Sequence, residues 1–267
     1  MADTYMSNFT ATNGPELLVE AKAATVYAAH ENSLFLGGQL VPVVSAPNGL
    51  LKVPKLTKPA AESLGDALTD DLAVANPDSS EVNIVCDLYG HRAVVRDLGA
   101  IDPMEIGRAG GQGVSAAFDA AVIAVTTSLT ALAKGGANVA IADLIAAVAA
   151  IRGTGETGPL AAIVGTTAYS ALMAEIGTAA FAGGDRFQSE ALRSGFLGNI
   201  VGVPCFVSAY AAADSAAVFG GDAMRIAMQK NVDLEIARRA EAVGWDVVSS
   251  LHAGVGAVDT GRGRYIS

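Results

Sequence analysis

The first hydrophobic pattern along the chain is a short amphipathic stretch. Over residues 15–31, small apolar side chains recur at spacings of three and four, which predicts an α-helix with one apolar face. The residues before it, 1–14, are small and polar, and we expect a flexible arm there. The chain therefore opens with an arm and one helix.

About seventy residues, 32–101, follow with strand and turn signals but no helical period. Between residues 34 and 58, strand-forming Leu and Val residues are interrupted by prolines. Because prolines favour edge strands and loops, this stretch predicts a long hairpin that projects from the body. Residues 60–80 are acidic and loop-like, and alternating apolar residues over 81–101 predict a return to strand. So long an extended segment is unusual in an enzyme domain and suits a protein that reaches onto its neighbours.

A long Ala-rich helix is predicted next, over residues 102–133. Asp102 is suited to the N-cap, Pro103 to the first helical position and Glu105 to the capping-box position. Large apolar residues then recur at intervals of three and four and form one stripe that we expect to be buried. The stripe consists of Val114, Phe118, Val122, Val125, Leu129 and Leu132. Several glycines weaken the first two turns, so we expect that half to be the softer one. The sequence over 134–136, a lysine and two glycines, is typical of a helix end.

Shorter helix and strand patterns fill the rest of the chain, and a Gly-rich segment over 177–195 is expected to be irregular. The apolar spacing in the first of these helices places Ile145 on its inward face. The predicted elements are a helix over 139–152, a strand over 160–164, a helix capped by Thr166 or Thr167, strands over 200–208, 216–219 and 224–229, and a last strand over 245–258.

Composition changes the expectation for the surface. Hydrophobic residues make up 51% of the 267 residues and charged residues 16%, whereas an ordinary domain has about 25% charged residues. The length suffices for one large domain or two modest ones. A single copy with so few charges would have little polar surface, so we expect much of it to be buried against other copies of the chain.

The net charge of -10 argues against a protein that reads DNA sequence, because such proteins carry a basic stripe. The charge is compatible with a wall around DNA, since basic patches would bind phosphates regardless of sequence. The start of the chain has no signal-peptide pattern and no segment forms a convincing membrane span, so no membrane partner is expected. Cys86 and Cys205 lie in apolar, strand-like runs and are expected to be buried free thiols.

One glycine-rich loop matches a cofactor motif by its letters. The segment from Gly153 to Gly158 reads G-x-G-x-x-G. A dinucleotide site needs a strand before this motif and a helix after it, so that the pyrophosphate meets the helix N-terminus. Here the predicted helix comes first and the strand second. We therefore interpret the loop as a helix-to-strand turn, and a nucleotide-dependent enzyme remains an alternative.

No other group of residues forms a catalytic or metal-binding pattern. His30, His91 and His252 have no metal-ligand partner at the usual spacing, and no nucleophile elbow accompanies them. Asp70 and Asp71 are expected in a solvated turn, and the basic residues 261–264 in an exposed tail. We therefore assign no catalytic, cofactor-binding or metal-binding residue and predict that the protein is not an enzyme.

Five features in this order resemble one known family, the major capsid proteins of tailed bacteriophages, which share the Hong Kong 97 fold. The resemblance covers nearly the whole chain. The first feature is Leu34-Phe35-Leu36-Gly37-Gly38, which enters the hairpin as the family's N-terminal arm enters its extended loop. The helix over 102–133 resembles the family's spine helix, and residues 143–172 resemble the helix–strand–helix opening of its axial domain. The last two features are the Gly-x-Pro strand over 198–208 and the strand over 241–259, which resembles the one that returns to the peripheral domain.

The resemblance implies an α+β fold of the Hong Kong 97 type with a defined division of the chain. The implied parts are an N-terminal arm over 1–33, an extended β-hairpin loop over 34–80, a peripheral domain over 81–136 and 238–267 that includes the spine helix 102–133, and an axial domain over 137–237.

The resemblance also implies a structural role in an icosahedral phage head built from pentamers and hexamers around double-stranded DNA, without sequence-specific contact. Implied partners are other copies of the chain, a portal, decoration proteins and a separate scaffolding protein, because the arm and loop occupy the whole region before residue 102. Assembly is expected in the host cytoplasm. Lys52, Lys55 and Lys58 on the loop are expected to form interface salt bridges. The glycine-rich helix start is expected to bend during shell expansion. An encapsulin-like compartment of the same fold is the second alternative.

Overall fold

The computed structural model describes residues 14–56, 79–96, 103–176, 196–200, 202–239, 241 and 244–267. Several predictions fall outside these residues: the arm over 1–13, most of the acidic loop with Asp70 and Asp71, Lys58, the N-cap Asp102 and the Gly-rich segment 177–195.

Helices and strands are mixed along the described chain. The helices are α1 (Gly14–Asn32), α2 (Pro103–Thr126), α3 (Ile141–Gly153) and α4 (Thr166–Ile176). The strands are β1 (Val43–Ser45), β2 (Leu50–Leu56), β3 (Ser79–Val85), β4 (Asp87–Arg96), β5 (Thr130–Leu132), β6 (Leu160–Val164), β7 (Phe196–Ile200), β8 (Val203–Val207), β9 (Ala216–Gly220), β10 (Met224–Arg239), β11 (Gly244–Ala257) and β12 (Gly263–Ile266), and a 3-10 turn (Thr260–Arg262) precedes β12.

A four-stranded sheet in the order β1-β10-β11-β4 carries α1 and α2 on one face. In β11, alternate residues Val247, Ser249 and Leu251 are buried toward the helices, as a half-buried strand requires. The aromatic rings of Tyr89 in β4 and Phe118 in α2 meet edge to face at 5.6 Å. The helix stripe predicted from spacing is therefore the surface that covers this sheet.

The two helices α1 and α2 pack closely in the same direction along a seam of small residues. Gly107 faces Ala21, and Gly111, one turn later, faces Thr25. A Cβ atom at either glycine would overlap the carbonyl oxygen of its neighbour. Glycine here lets two helix backbones approach, which is a packing role. The prediction that these glycines bend during shell expansion stays a prediction.

The long helix ends earlier than predicted. It stops at Thr126 rather than at residue 133. The hydroxyls of Thr126, Thr127 and Ser128 each donate to the carbonyl three residues earlier, at 2.6, 2.8 and 2.7 Å. Such local bonds offer the backbone an alternative to a further helical turn. The next residues form β5, which pairs in parallel with β12.

A six-stranded sheet in the order β5-β12-β9-β6-β8-β7 separates two hydrophobic cores. One face, with Ile163 and Phe219, packs into the core that contains α2. The other face, with Leu160 and Val218, packs against α3 and α4. Every residue of β6 and of β9 is buried, which a sheet covered on both faces requires.

Three predicted elements differ in extent from the structure. The strand predicted over 200–208 is a hairpin of β7 and β8, and Gly202 at its turn has φ 76°, a conformation that favours glycine. The strand predicted over 224–229 continues to Arg239 because it pairs along its length with β11. The predicted tail over 261–264 is not free, since β12 lies between β5 and β9.

Ile145 does not face inward. It is 47% exposed, whereas Leu144 and Ala147 are buried. Asp143, on the opposite flank of α3, is buried because it accepts hydrogen bonds from the preceding segment. This contact rotates the buried face of the helix away from Ile145.

The sheet pairing crosses the predicted domain bounds, which stay a prediction. β10, which begins at Met224, belongs to the four-stranded sheet. β5 and β12 belong to the six-stranded sheet. The two sheets are thus connected by two short turns, between β9 and β10 and between β11 and β12, and through α2 between β4 and β5.

Candidate assembly site

The hairpin formed by β2 and β3 confirms an extended two-stranded element, but with other bounds than predicted. Its second strand is Ser79–Val85, whereas Val43–Ser45 of the predicted hairpin pairs with β10 in the four-stranded sheet. Strands β2 and β3 pair antiparallel from Leu50 opposite Val85 to Leu56 opposite Ser79. Pro54 lies in β2, a strand with one partner in this two-stranded sheet, where a missing N–H is tolerated. The tip of the hairpin falls outside the described residues.

The described part of the hairpin lies against the body rather than projecting from it. Its inward face, which includes Val53 and Ile84, covers the side of the four-stranded sheet opposite the helices. Gly254 and Gly256 of β11 allow this contact, because a Cβ atom at Gly256 would lie 2.7 Å from the Ile84 side chain and one at Gly254 would overlap the Val85 carbonyl. The sequence predicted the hairpin but not this docking strip of glycines.

Exposed apolar side chains surround the base of the hairpin. Val85 is 62% exposed and Leu88 is 63% exposed, and Leu50, which pairs with Val85, is also exposed. We call these three residues the hairpin-base patch. Toward the tip, the outward face becomes polar, with an ion pair between Lys52 and Glu81 at 2.9 Å. Exposed apolar groups of this kind are typical of protein contacts.

A buried carboxylate fixes the segment that leads into the hairpin. Asp119 of α2 accepts hydrogen bonds from the Ser33 hydroxyl at 2.6 Å and from the Leu34 N–H at 3.0 Å. Burial raises the pKa of Asp119, and the two hydrogen bonds oppose that rise. The Ser33 hydroxyl oxygen in turn accepts hydrogen bonds from the backbone N–H groups of Phe35 and Leu36. The end of α1 is therefore held on α2.

The segment between β5 and α3 is held by three carboxylates. Asp143 accepts from two backbone N–H groups of this segment at 2.9 and 3.0 Å, and Asp214 accepts from a third at 3.1 Å. Glu175 accepts from the first N–H of α3 at 2.9 Å. Asp214 also pairs with Lys134, and that hydrogen bond lowers the pKa of Asp214. These bonds fix the segment that leads from β5 into α3.

The loop over 153–158 is the helix-to-strand turn that the sequence predicted, since it joins α3 to β6. Its centre is the buried Glu156 carboxylate, which accepts from the Gly158 N–H at 2.8 Å. Arg262 donates to the same carboxylate at 2.9 Å and to Asp222 at 2.6 Å. A phosphate loop directs its N–H groups at an anionic ligand, whereas here a side chain of the loop takes that place.

The predicted lysine contacts occur within one chain. Lys52 pairs with Glu81 across the hairpin, and Lys55 pairs with Asp259 at 3.0 Å. The expectation of interface salt bridges stays a prediction for these two lysines, each of which lies within reach of a carboxylate of its own chain. Lys58 lies outside the described residues.

The histidines and cysteines of the chain are spread over separate segments of the fold. His91 lies against Gly113 of α2, and the described residues include no cluster of His, Cys, Asp or Glu that could hold a metal ion. Cys205 is buried and free, and burial raises its pKa to about 11, so the thiol stays protonated and unreactive. Cys86 is also free but only half-buried. No helix among the described residues is long and apolar enough to span a membrane.

A cavity of about 270 Å³ lies at the C-terminal end of α2. Its wall is mainly apolar, with Ile123 and Ile163 on one side and Tyr210 and Tyr265 among the aromatic groups. No charged side chain lines it. Its polar side chains all bear hydroxyl groups: Thr126, Thr127, Tyr210, Ser215 and Tyr265.

Solved structures share this fold, although no family model and no curated protein sequence matches the chain. A structure from Mycobacterium phage Che8 has a TM-score of 0.64 at 15% identity and covers 82% of this chain and 85% of its own. A virus-like particle from Pyrococcus furiosus has a TM-score of 0.67 at 13% identity, over 94% of this chain and 100% of its own. The capsid of a native GTA particle has a TM-score of 0.67 at 13% identity, over 85% and 88%. The chain has the Hong Kong 97-type capsid fold that the order of its elements predicted.

Proposed function

We propose that this protein is a structural shell protein, the major capsid protein of a tailed phage. Its copies assemble as pentamers and hexamers into an icosahedral head that encloses double-stranded DNA. The observation that carries the proposal is the fold match, which extends over at least 82% of the chain in a structure from Mycobacterium phage Che8, in a virus-like particle and in a GTA capsid.

In the proposed assembly, each region of the chain has one role. The hairpin loop lies across a neighbouring subunit and covers apolar surface, to which the hairpin-base patch contributes. The axial domain converges on the capsomer axis, and the peripheral domain with its spine helix forms the outer part of the capsomer. The proposed parts are the arm over 1–33, the loop over 34–80, the peripheral domain over 81–136 and 238–267, and the axial domain over 137–237.

The protein acts by assembly and not by catalysis. Support comes from the Glu156-centred loop, which lacks an open anion site, and from the dispersed histidines. The net charge of -10 suits an inner wall that encloses DNA without binding its sequence. The proposed partners are a separate scaffolding protein, a portal and decoration proteins. The protein assembles in the host cytoplasm and remains in the virion.

A second candidate function is the shell of an encapsulin-like compartment that holds a protein cargo. The observation that favours it is the virus-like particle from Pyrococcus furiosus, which aligns with this chain over its whole length. Both candidates use the same fold and the same assembly principle. They differ in what the shell contains.

Electron microscopy of the purified, concentrated protein tests the proposal. We expect closed shells, or rings of five and six subunits, after size-exclusion chromatography. Double-stranded DNA inside the shells supports the phage head, and a protein guest supports the compartment. Small discrete oligomers that do not close in the presence of the co-expressed scaffolding protein would contradict both, and binding of a nucleotide would then favour the enzyme alternative.

A further inference from the structure

The Asp259 carboxylate connects the hairpin to the body through two ion pairs. Its Oδ1 lies 3.0 Å from Lys55 Nζ, and its Oδ2 lies 3.3 Å from Arg262 Nε. Lys55 belongs to β2, close to the end of the described strand, whereas Asp259 and Arg262 lie between β11 and β12. One carboxylate thus joins the outer part of the hairpin to one of the turns that connect the two sheets.

That turn is itself fixed to the other short crossing between the sheets. The N–H groups of Val258 and Asp259 donate to the Ala223 carbonyl at 2.8 and 3.2 Å. Arg262 pairs with Asp222 in the same crossing. We call residues 221–223 and 258–262 the sheet joint. Because the two short chain crossings, β9 to β10 and β11 to β12, meet there, its position is set by both sheets together.

The sheet joint has its charges paired within the chain. Arg262 also reaches Glu156, which is 8% exposed, and Arg225 pairs with Asp222. Lys55 is the cation that comes from the hairpin. Its side chain is 41% exposed and that of Asp259 is 26% exposed, so water and salt screen the pair only in part.

Apolar contact alone gives the hairpin little directional restraint. Its inward face rests on a strip that contains Gly254 and Gly256, and Val53 and Val82 toward the outer end are only partly buried. Apart from the two glycines, the side chains under the hairpin are those of Ala46, Ala227 and Val258, and apolar contact with such small groups opposes a small rotation of the hairpin only weakly. Lys55 adds a directional contact farther from the base, where it restrains such a rotation most.

We infer that Lys55 is a positioning residue, which fixes the direction of the hairpin by pairing with Asp259 and Arg262 at the sheet joint. In the assembly proposed above, on which this role depends, the pairing presents the hairpin to the neighbouring subunit in one orientation. Removing the Lys55 charge frees the hairpin to sample several directions while its strands stay paired.

A spin-label distance measurement on unassembled subunits tests this inference. One label is attached at Asn83→Cys, on the exposed outward face of the hairpin, and the other at Ala149→Cys on α3, with Cys86 and Cys205 replaced by Ala. We expect one narrow distance in this labelled protein. The further change Lys55→Gln should replace it with a broad distribution, and Lys55→Arg, which keeps the cation, should restore a narrow one.

Lys22→Gln is the matched control. Lys22 pairs with Asp233 at 3.1 Å, with side-chain exposures of 41% and 30%, and Asp233 is also shared with a second cation, Lys230. This pair joins α1 to β10 and does not touch the hairpin, so the distance should stay narrow. An unchanged distribution in Lys55→Gln would overturn the inference, as would equal broadening in Lys22→Gln.

Shell formation, measured separately by electron microscopy, distinguishes this inference from the proposed function. A narrow distance in Lys55→Gln together with normal shells overturns the positioning role and leaves the shell function standing. Broadening in Lys55→Gln, with no shells from the unsubstituted protein even when the scaffolding protein is co-expressed, supports the positioning role of Lys55 and contradicts the shell function. Broadening with shells in the unsubstituted protein and a reduced shell yield in Lys55→Gln supports both.

Discussion

Single glycines decide how closely the main elements of this protein pack. In α2, Gly107 and Gly111 face the backbone of α1, and Gly110 faces the Ser249 side chain of β11. The sequence shows these residues only as weak helix formers, because propensity describes a helix without its surroundings. The structure identifies the atoms that would occupy the same space as an added methyl group. Their role is close approach between elements.

The change Gly111→Ala should destabilise the subunit. Alanine gains up to about 1 kcal/mol of helix propensity, but its methyl group would overlap the Thr25 carbonyl oxygen, and overpacking costs about 1–3 kcal/mol. Backbone atoms cannot move aside as a flexible side chain can. We therefore expect a lower free energy of unfolding, measured with urea on unassembled subunits.

Gly153→Ala is the control for that change. Gly153 is the last residue of α3, and an added Cβ atom would meet nothing within 4 Å. This variant should be as stable as the parent or slightly more stable. If Gly111→Ala were also neutral, α1 would not pack on α2 as closely as the structure shows.

The sequence predicted buried residues well where the partners are close along a periodic face. Val114, Phe118 and Val122 were expected on one stripe, and each is buried. Asp119, in the same helix, is also buried, and no sequence pattern indicated it. Its partners, Ser33 and Leu34, lie 86 and 85 residues away in the chain. A local spacing rule cannot find a pairing between such distant segments.

At the scale of elements, too, local sequence predicts some features, whereas contacts between distant segments decide others. The strand β6 and the helix α4 follow from apolar spacing and turn residues, and the structure confirms both. The end of α2 depends on β5, which pairs with a strand more than one hundred residues later. β12 itself has the basic, Gly-rich sequence of a tail, so only its pairing with β5 and β9 makes it a strand.

The contact between α1 and α2 should depend on pH through Asp119. Burial raises its folded-state pKa above the ordinary value of 3.8, so the folded protein binds this proton more tightly than the unfolded chain. The ionised carboxylate therefore costs stability near neutral pH, and that cost disappears as the pH falls through the raised pKa. Relative to Asp119→Asn, the parent protein should gain stability between neutral pH and about pH 4.

Asp214→Asn serves as the comparison, because the stability contributed by Asp214 should change with pH in the opposite direction. The hydrogen bond from Lys134 lowers the pKa of Asp214, so its contribution is present above 3.8 and is lost as the pH falls through the lowered value. Urea unfolding at several pH values measures both differences. If the free energies of unfolding of the parent and of Asp119→Asn changed with pH in parallel, Asp119 would titrate alike in the folded and unfolded states, which would contradict the prediction.

At the scale of the whole molecule, the six-stranded sheet makes two cores depend on each other. Residues of β6 alternate between them: Ile163 faces the core with α2, and Leu160 and Val164 face the core with α3 and α4. Neither core can lose this sheet and remain packed. The sheet joint adds hydrogen bonds and ion pairs between the same parts. The proposed division into a peripheral and an axial domain therefore does not coincide with two independent cores.

Leu172→Ala tests this dependence. Leu172 is fully buried in α4, and removing such a side chain costs about 2–5 kcal/mol. Trp245, the single tryptophan of the chain, lies in β11 of the other sheet. If the cores unfold together, the urea midpoints seen by tryptophan fluorescence and by far-ultraviolet circular dichroism should shift by the same amount.

The exposed Ile145 is the control, since Ile145→Ala should change stability by less than about 0.5 kcal/mol. If the urea midpoint of the fluorescence transition stayed in place while the circular dichroism showed two steps, each core would unfold alone. The shared sheet would then not couple the two cores.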